Sequence, residues 1–518
     1  MTTRKPKLTS REALDAAFGP NPLLDPLDPL IEVERMPAAL SHRPLQNVPW
    51  RDVDPKQRID FLNLMQSQFV PTPDAVEIAL AIQQMIRASY IERHPALPCN
   101  RRRRMEIATL DPAKLPSASW FPGFARAVIV EGITGLGKTF MKDRILSLYP
   151  QVHRHGRFEA GGWEKQAQII YLDVTMSADS SRLGFLDNIL LAIDNALRDI
   201  DDPSGDTHYY ETYGGPKSRM STEKVMVIIG QILSQYYCGL LVIDEIQDRN
   251  FSTNRELILL FFLRLLNFGI PIMLLGNPKG FSGFEQSAQD TRRLYKGGHF
   301  ELWPATDGRD RAWRSYVSGK LQDNLLPLSF PVDDTAHDEF YRCSGGVRDY
   351  FDTLLGAMQE RGLRKNLGEI PFEYIAETYS GRRMKKYHGT INALVKKDIN
   401  ELAKNTDMPL ELFAKRWKMS LPASESSSAT TLSDNPGVAG NEAFGKGAKK
   451  ANQTRYKSPE QRRKQADAMF RKRQDHAANA QQAAQDAKSP MSDQDQTEIN
   501  RAELVARAKE LARVTSKK

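Results

Sequence analysis

Gly132-Ile133-Thr134-Gly135-Leu136-Gly137-Lys138-Thr139 has the residue types and spacing G-x-x-x-x-G-K-[ST], which suit a polyphosphate. Glycines let the backbone wrap tightly enough for successive N–H groups to converge on phosphate oxygens. The Lys138 ammonium is expected to reach the β- and γ-phosphates of ATP, and the Thr139 hydroxyl to hold Mg²⁺. A second group with chemistry is the acidic pair Asp244-Glu245. Asp244 is expected to support the Mg²⁺ shell, and Glu245 to orient and deprotonate an attacking water. An acidic turn after a core strand is the plainer reading of that pair.

Elements must bring these groups together. Ala127-Val128-Ile129-Val130 is an apolar run too short for a helix and fits a buried parallel strand. Residues 140–148 read as a helix, with Met141, Ile145 and Leu148 on one face, so strand, glycine loop and helix are all present. The helix adds its N-terminal partial positive charge to the phosphate cradle. Gly239-Leu240-Leu241-Val242-Ile243 is a strand that delivers Asp244 to the carboxyl end of an open α/β sheet, where ligands bind. Residues 168–174, 271–277 and 299–303 read as further strands. If the strand ending at Asn277 lies between the two motif strands, Asn277 touches the γ-phosphate or its water; otherwise it only ends a strand. Arg292-Arg293 close a short polar helix, either as a solvated end or as a group that reaches a neighbouring subunit's nucleotide. Helical periods also cover 183–197 and 223–236, with a polar insertion over 201–219.

The flanks differ from this centre. Residues 1–49 hold short apolar pieces among prolines, without a period, and read as an extended arm, disordered or laid on a partner. Residues 73–93 read as an amphipathic helix beginning near Thr72. Asn100-Arg101-Arg102-Arg103-Arg104 is either a solvated basic turn or a phosphate contact on nucleic acid. Beyond Pro304 the strand signals stop, and segments 310–321, 333–341, 347–361 and 371–379 read as helices. A glycine turn at Ser344-Gly345-Gly346 opens one of them and places Arg348 on its first turn, pointing at the nucleotide or at solvent. From about Ser420 the sequence becomes low in complexity and basic, with a short helical pattern at its end.

Bulk properties narrow the class. The 518 residues carry a formal net charge of +8 and a pI near 9.1, which suits a nucleic-acid partner. No apolar run reaches the length of a membrane span, and the basic N-terminus has no apolar region after it as a secretory signal would. Cys99, Cys238 and Cys343 show no metal or disulfide spacing, which points to a reducing cytoplasm.

Five strands with helices between them, a phosphate loop after the first, Asp-Glu after the third and Asn after the fourth resemble an oligomeric AAA+ ATPase core with a helical lid. The expected fold class is therefore α/β: an AAA+ P-loop NTPase core with a parallel sheet, then an all-helical lid. An extended N-terminal region and a largely disordered basic tail flank it. The expected boundaries are 1–115 for the arm and helical extension, 116–305 for the core, 306–410 for the lid and 411–518 for the tail. More narrowly, the sequence resembles TnsC and its shorter relative TniB, regulator ATPases of heteromeric cut-and-paste transposons. Gly239-Leu240-Leu241-Val242-Ile243-Asp244-Glu245-Ile246-Gln247 and Pro271-Ile272-Met273-Leu274-Leu275-Gly276-Asn277-Pro278-Lys279 carry most of that resemblance. Asn21-Pro22-Leu23, the run from Met85 to Tyr90 and the lid turn Ser344-Gly345-Gly346-Val347-Arg348-Asp349 add to it.

The resemblance implies ATP and Mg²⁺ at Lys138, Thr139 and Asp244, hydrolysis through Glu245, Asn277 as sensor, and a trans-acting finger from Arg292 or Arg293. Relatives often carry threonine where Asn277 stands, and Arg348 is not arginine in all of them. It also implies rings or filaments on duplex DNA in a bacterial cytoplasm, with a TniQ-type target selector and transposase subunits as partners and no membrane. Two other classes share the core: a DNA motor such as a helicase or remodeller, and a nucleotide-gated scaffold with little hydrolysis.

Overall fold

The computed structural model describes residues 8–111, 125–177, 181–198, 207–215, 220–247, 255–282, 284 and 292–420. Its strands are β1 (Ala127–Gly132), β2 (Val152–His155), β3 (Gln166–Ile169), β4 (Leu172–Thr175), β5 (Leu241–Ile246), β6 (Ile272–Gly276) and β7 (Gly298–Leu302). Five of them form one sheet in the order β4-β5-β6-β1-β7, with every neighbouring pair parallel. β2 and β3 form a separate antiparallel pair.

Parallel strands are joined by crossovers that cover both faces of a sheet, so their residues must be apolar throughout. β1 and β6 are buried at every position. On one face Ile129, Ile243 and Leu274 pack against helices Arg182–Leu197, Thr222–Gln235 and Arg255–Asn267. On the other, Val128, Val130, Val242 and Met273 meet helix Pro73–Glu92 and the helix after the phosphate loop, Lys138–Leu146. The lid has its own core, built around Trp313, Phe340, Phe351 and Ile375. It includes helices Arg311–Lys320, Asp334–Ser344, Arg348–Arg364 and Glu373–Tyr379, then His388–Lys396, Ile399–Leu402 and Leu410–Trp417.

Several sequence expectations change. The arm is folded: helix Ser10–Phe18 has a capping box at Thr9 and Glu12, and Leu23, Leu24, Leu27, Met36 and Leu40 are buried in the main core. Its apolar pieces show no period because they lie on short turns, Pro22–Leu27, Val33–Arg35 and Met36–Leu40, of three to six residues each. Leu45, Trp50 and Met65 pack into the lid instead. The strand read over 168–174 is two strands, because β3 turns back to pair with β2 before β4 enters the sheet. The four arginines lie on helix Pro98–Ala108 and not in a turn. Arg104 bonds Tyr237 Oη and Gln166 Oε1, and Arg103 bonds the Asn267 carbonyl, so these two brace the fold. Within 201–219, residues Tyr209–Tyr213 form a short helix. Leu410–Trp417 buries Phe413 in the main core, so ordered structure extends past the expected lid boundary. The expected terminal helix and the basic tail from residue 421 lie outside the described residues.

β6 lies against β5 only because of glycine. A Cβ on Gly276 would stand 2.1 Å from the Ile246 carbonyl oxygen, which already accepts the Asn277 N–H at 2.9 Å. Gly276→Ala is expected to push the strands apart and lower unfolding free energy by about 3 kcal/mol, as overpacking does. A urea titration checks this through a lower midpoint.

Candidate nucleotide site

The phosphate loop runs from the end of β1 into helix Lys138–Leu146. Gly135 and Gly137 have φ of +89° and +78°, the left-handed conformation that lets the loop turn its N–H groups inward. Lys138 Nζ donates to the carbonyls of Gly132 at 2.8 Å and Ile133 at 3.0 Å. Burial pulls its ammonium down to a pKa of about 8. A buried, under-compensated cation of this kind favours an anionic ligand.

Because β6 lies between β1 and β5, both chemical signatures stand at the same edge of the sheet. Thr139 Oγ1 donates to Asp244 Oδ2 at 2.9 Å. Asp244 is buried, and its other oxygen accepts the Glu245 N–H at 2.8 Å. The β5–β6 register shifts between Ile243 and Ile246, and Glu245 in that irregularity has φ +63° and an exposed side chain. The bulge turns its carboxylate out of the sheet, where Gln247 Nε2 donates to it. Positive φ in a non-glycine residue marks strain of the kind found at functional positions.

Asn277 directly follows β6, the strand between the two motif strands, as the sensor reading requires. It is buried, and its Oδ1 accepts the Lys279 N–H at 3.1 Å. Its Nδ2 donates to the Asp407 carbonyl at 2.9 Å.

Two groups here escaped the sequence reading. Lys142, one helical turn after Lys138, is buried with its Nζ 2.6 Å from Asp173 Oδ2 and 3.5 Å from Asp244 Oδ2. Burial pulls this ammonium down, but the Asp173 hydrogen bond and nearby carboxylates outweigh it, so it stays charged. Asp173 Oδ1 is buried without a hydrogen-bond partner. The hard oxygen donors Thr139 and Asp244, with Asp173 joined to Asp244 through Lys142, fit Mg²⁺ and its waters. When bound, Mg²⁺ would offset phosphate charge; Thr139 and Asp244 would hold it. An aspartate after Leu172 at a strand start was the available signal for Asp173, and the i, i+4 lysine spacing for Lys142.

The lid turn closes against the loop. The Asp349 N–H donates to the Gly135 carbonyl at 3.0 Å, and Arg348 Nη1 to the Leu136 carbonyl at 3.1 Å. Arg348 also stands 3.5 Å from Asp74. Arg348 therefore faces the phosphate loop and not solvent. Beside it is a cavity of about 410 Å³ lined by Phe69, Leu136, Phe140, Tyr316 and Arg348, among others, within the size range of small-ligand pockets.

The paired arginines separate. Arg293 is half-buried and turned inward, bonding the Leu263 carbonyl and Asn267 Oδ1 at the end of helix Arg255–Asn267. Arg292 is exposed.

Residues 125–283 match the family model described as an AAA domain. The parallel five-strand sheet with its helical C-terminal region is an AAA+ α/β fold. Solved structures that match include the Aeropyrum pernix ORC2 protein in ADPNP–ADP complexes, at 14% identity over 55% of this chain and 68% of that one, TM-score 0.34. The Aeropyrum pernix ORC1 protein in complex with DNA matches at 16% identity over 56% and 68%, TM-score 0.32. The Thermotoga maritima RuvB Holliday junction branch migration motor matches at 15% over 57% and 75%, TM-score 0.28. No curated protein sequence matches the chain. Among the described residues, no helix is long and apolar enough to cross a membrane.

The two arginines should respond differently to truncation. Arg293→Ala is expected to cost about 1–2 kcal/mol by leaving a helix-end carbonyl and a half-buried amide unpaired. Arg292→Ala should leave stability unchanged. Chemical denaturation of both variants distinguishes the two roles.

Proposed function

We propose that this chain is an ATPase that acts as a nucleotide-controlled, DNA-binding regulator of transposition, of the TnsC/TniB type. The observation that carries the ATPase reading is the Thr139–Asp244 hydrogen bond of 2.9 Å, with Asn277 directly after β6, which lies between β1 and β5. In this reading Lys138 and the loop N–H groups bind the β- and γ-phosphates, and Thr139 and Asp244 hold Mg²⁺. Glu245, aimed outward by the bulge, takes a proton from the attacking water, and Asn277 holds that water or the γ-phosphate. Arg292 is the better candidate for a finger acting on a neighbouring subunit, because Arg293 is committed to its own chain. Arg348 links the phosphate loop to the lid.

The transposition part of the reading rests on the sequence resemblance through both distinctive strand segments, Asn21-Pro22-Leu23, the run from Met85 to Tyr90 and the lid turn, and on the net charge of +8. The chain would assemble with ATP on duplex DNA, receive a signal from a TniQ-type selector and recruit transposase. Hydrolysis would then release the assembly.

Glu245→Gln is expected to retain ATP affinity while turnover falls at least about a hundredfold, the usual scale for losing a general base. Steady-state phosphate release with parallel binding titrations checks this. The assembly reading is tested by electron microscopy of the protein with duplex DNA, with and without a slowly hydrolysed ATP analogue. Nucleotide-dependent rings or filaments, weakened steeply by salt as phosphate contacts require, are expected. Particles indifferent to DNA and nucleotide would overturn the regulator reading and leave the ATPase.

A further inference from the structure

The segment between helices Ile399–Leu402 and Leu410–Trp417 reaches from the lid to the phosphate end of the site. Thr134 Oγ1 donates to Asp407 Oδ2 at 3.4 Å, and Asn277 Nδ2 donates to the Asp407 carbonyl at 2.9 Å. Lys279 Nζ donates to the Thr406 carbonyl. Met408 is buried in the main core, and Asn405 Nδ2 donates to Thr390 Oγ1 of the lid at 3.3 Å. Core and lid groups together therefore fix the place of Asp407.

Two of these contacts engage the residues nearest a terminal phosphate. Thr134 is the third residue of the phosphate loop, and Asn277 is the sensor residue. A carboxylate held on the rim of the loop repels the charge of an incoming polyphosphate, and most strongly the phosphate closest to it. The same segment occupies an Asn277 N–H that a γ-phosphate or its water would use. A diphosphate, which ends before that point, leaves both contacts in place.

We propose that Asp407 is a specificity-determining residue of the nucleotide site: it disfavours triphosphate relative to diphosphate until residues 405–408 withdraw. This rests on the nucleotide-site reading above. ATP binding then carries an obligatory displacement of a lid segment, and loss of the γ-phosphate lets that segment return. The carboxylate is the source of the discrimination, so removing its charge and keeping its size isolates the effect.

Calorimetric titration of the full chain with ADP and with a slowly hydrolysed ATP analogue, at low and high KCl, tests this. Asp407 is exposed, so Asp407→Asn and Asp407→Glu are expected to fold normally. Asp407→Asn should raise the ratio of triphosphate to diphosphate affinity about fivefold at low salt, the scale of one nearby screened charge. Asp407→Glu should leave the ratio unchanged, and high KCl should bring wild type closer to the Asn variant. An unchanged ratio in Asp407→Asn, or an equal shift in Asp407→Glu, overturns the proposal while the site reading stands. If the wild-type chain binds neither nucleotide, the site reading falls and the proposal falls with it.

Discussion

The site depends on a close approach between backbones. β6 must enter between β1 and β5 and end level with both, and its last residue, Gly276, faces the Ile246 carbonyl with no room for a side chain. That fit aligns the carboxyl ends of the three strands. Thr139 then meets Asp244, and Asn277 follows the end of the strand that separates β1 from β5. The neighbouring bulge in β5 has the same origin: the strand must depart from regular pairing to pass this point, and the departure turns Glu245 outward. Geometry at the site is thus set by sheet packing, with the polar groups arriving at places the apolar strands define.

The lid extends this arrangement by direct backbone contact. Asp349 bonds the carbonyl of Gly135, and a Cβ at Gly135 would stand 2.9 Å from Val347. The phosphate loop is therefore shaped on one side by its own glycines and on the other by the first turn of a lid helix. Segment 405–408 adds a second lid contact through Asn277 and Thr134. Both reach residues of the proposed nucleotide site, Gly135 and Thr134 in the phosphate loop and Asn277 beside it.

Much of this centre was legible in the sequence, because strand, glycine loop and helix follow one another locally and each has its own pattern. Asn277 was legible only conditionally, since its role turned on strand order, which no local pattern contains. The arm was misread as extended because Leu23, Leu24 and Leu27 lie on one six-residue 3-10 turn, Pro22–Leu27, too short and too rich in proline to show a helical period. The β2–β3 pair was hidden because Ile169, Ile170 and Leu172 read as one continuous apolar run although the chain changes sheets within it. Arg293 and Arg292 are indistinguishable by type; only the carbonyl of Leu263 and the amide of Asn267 separate them. Asp407 carried no signal, being a polar residue in a loop 130 positions from its partner Asn277.

The folded arm also limits how the molecule can move. Arg144, on the helix after the phosphate loop, holds the carbonyl of Leu40 at 3.0 Å. Three residues later, Arg43 grips lid residue Asp323 at 2.6 Å. Leu45 stands five positions after Leu40, a length of chain that spans at most about 17 Å fully stretched. This is a short tether across the cleft, anchored at both ends, and wide hinge opening would pull one anchor from its seat.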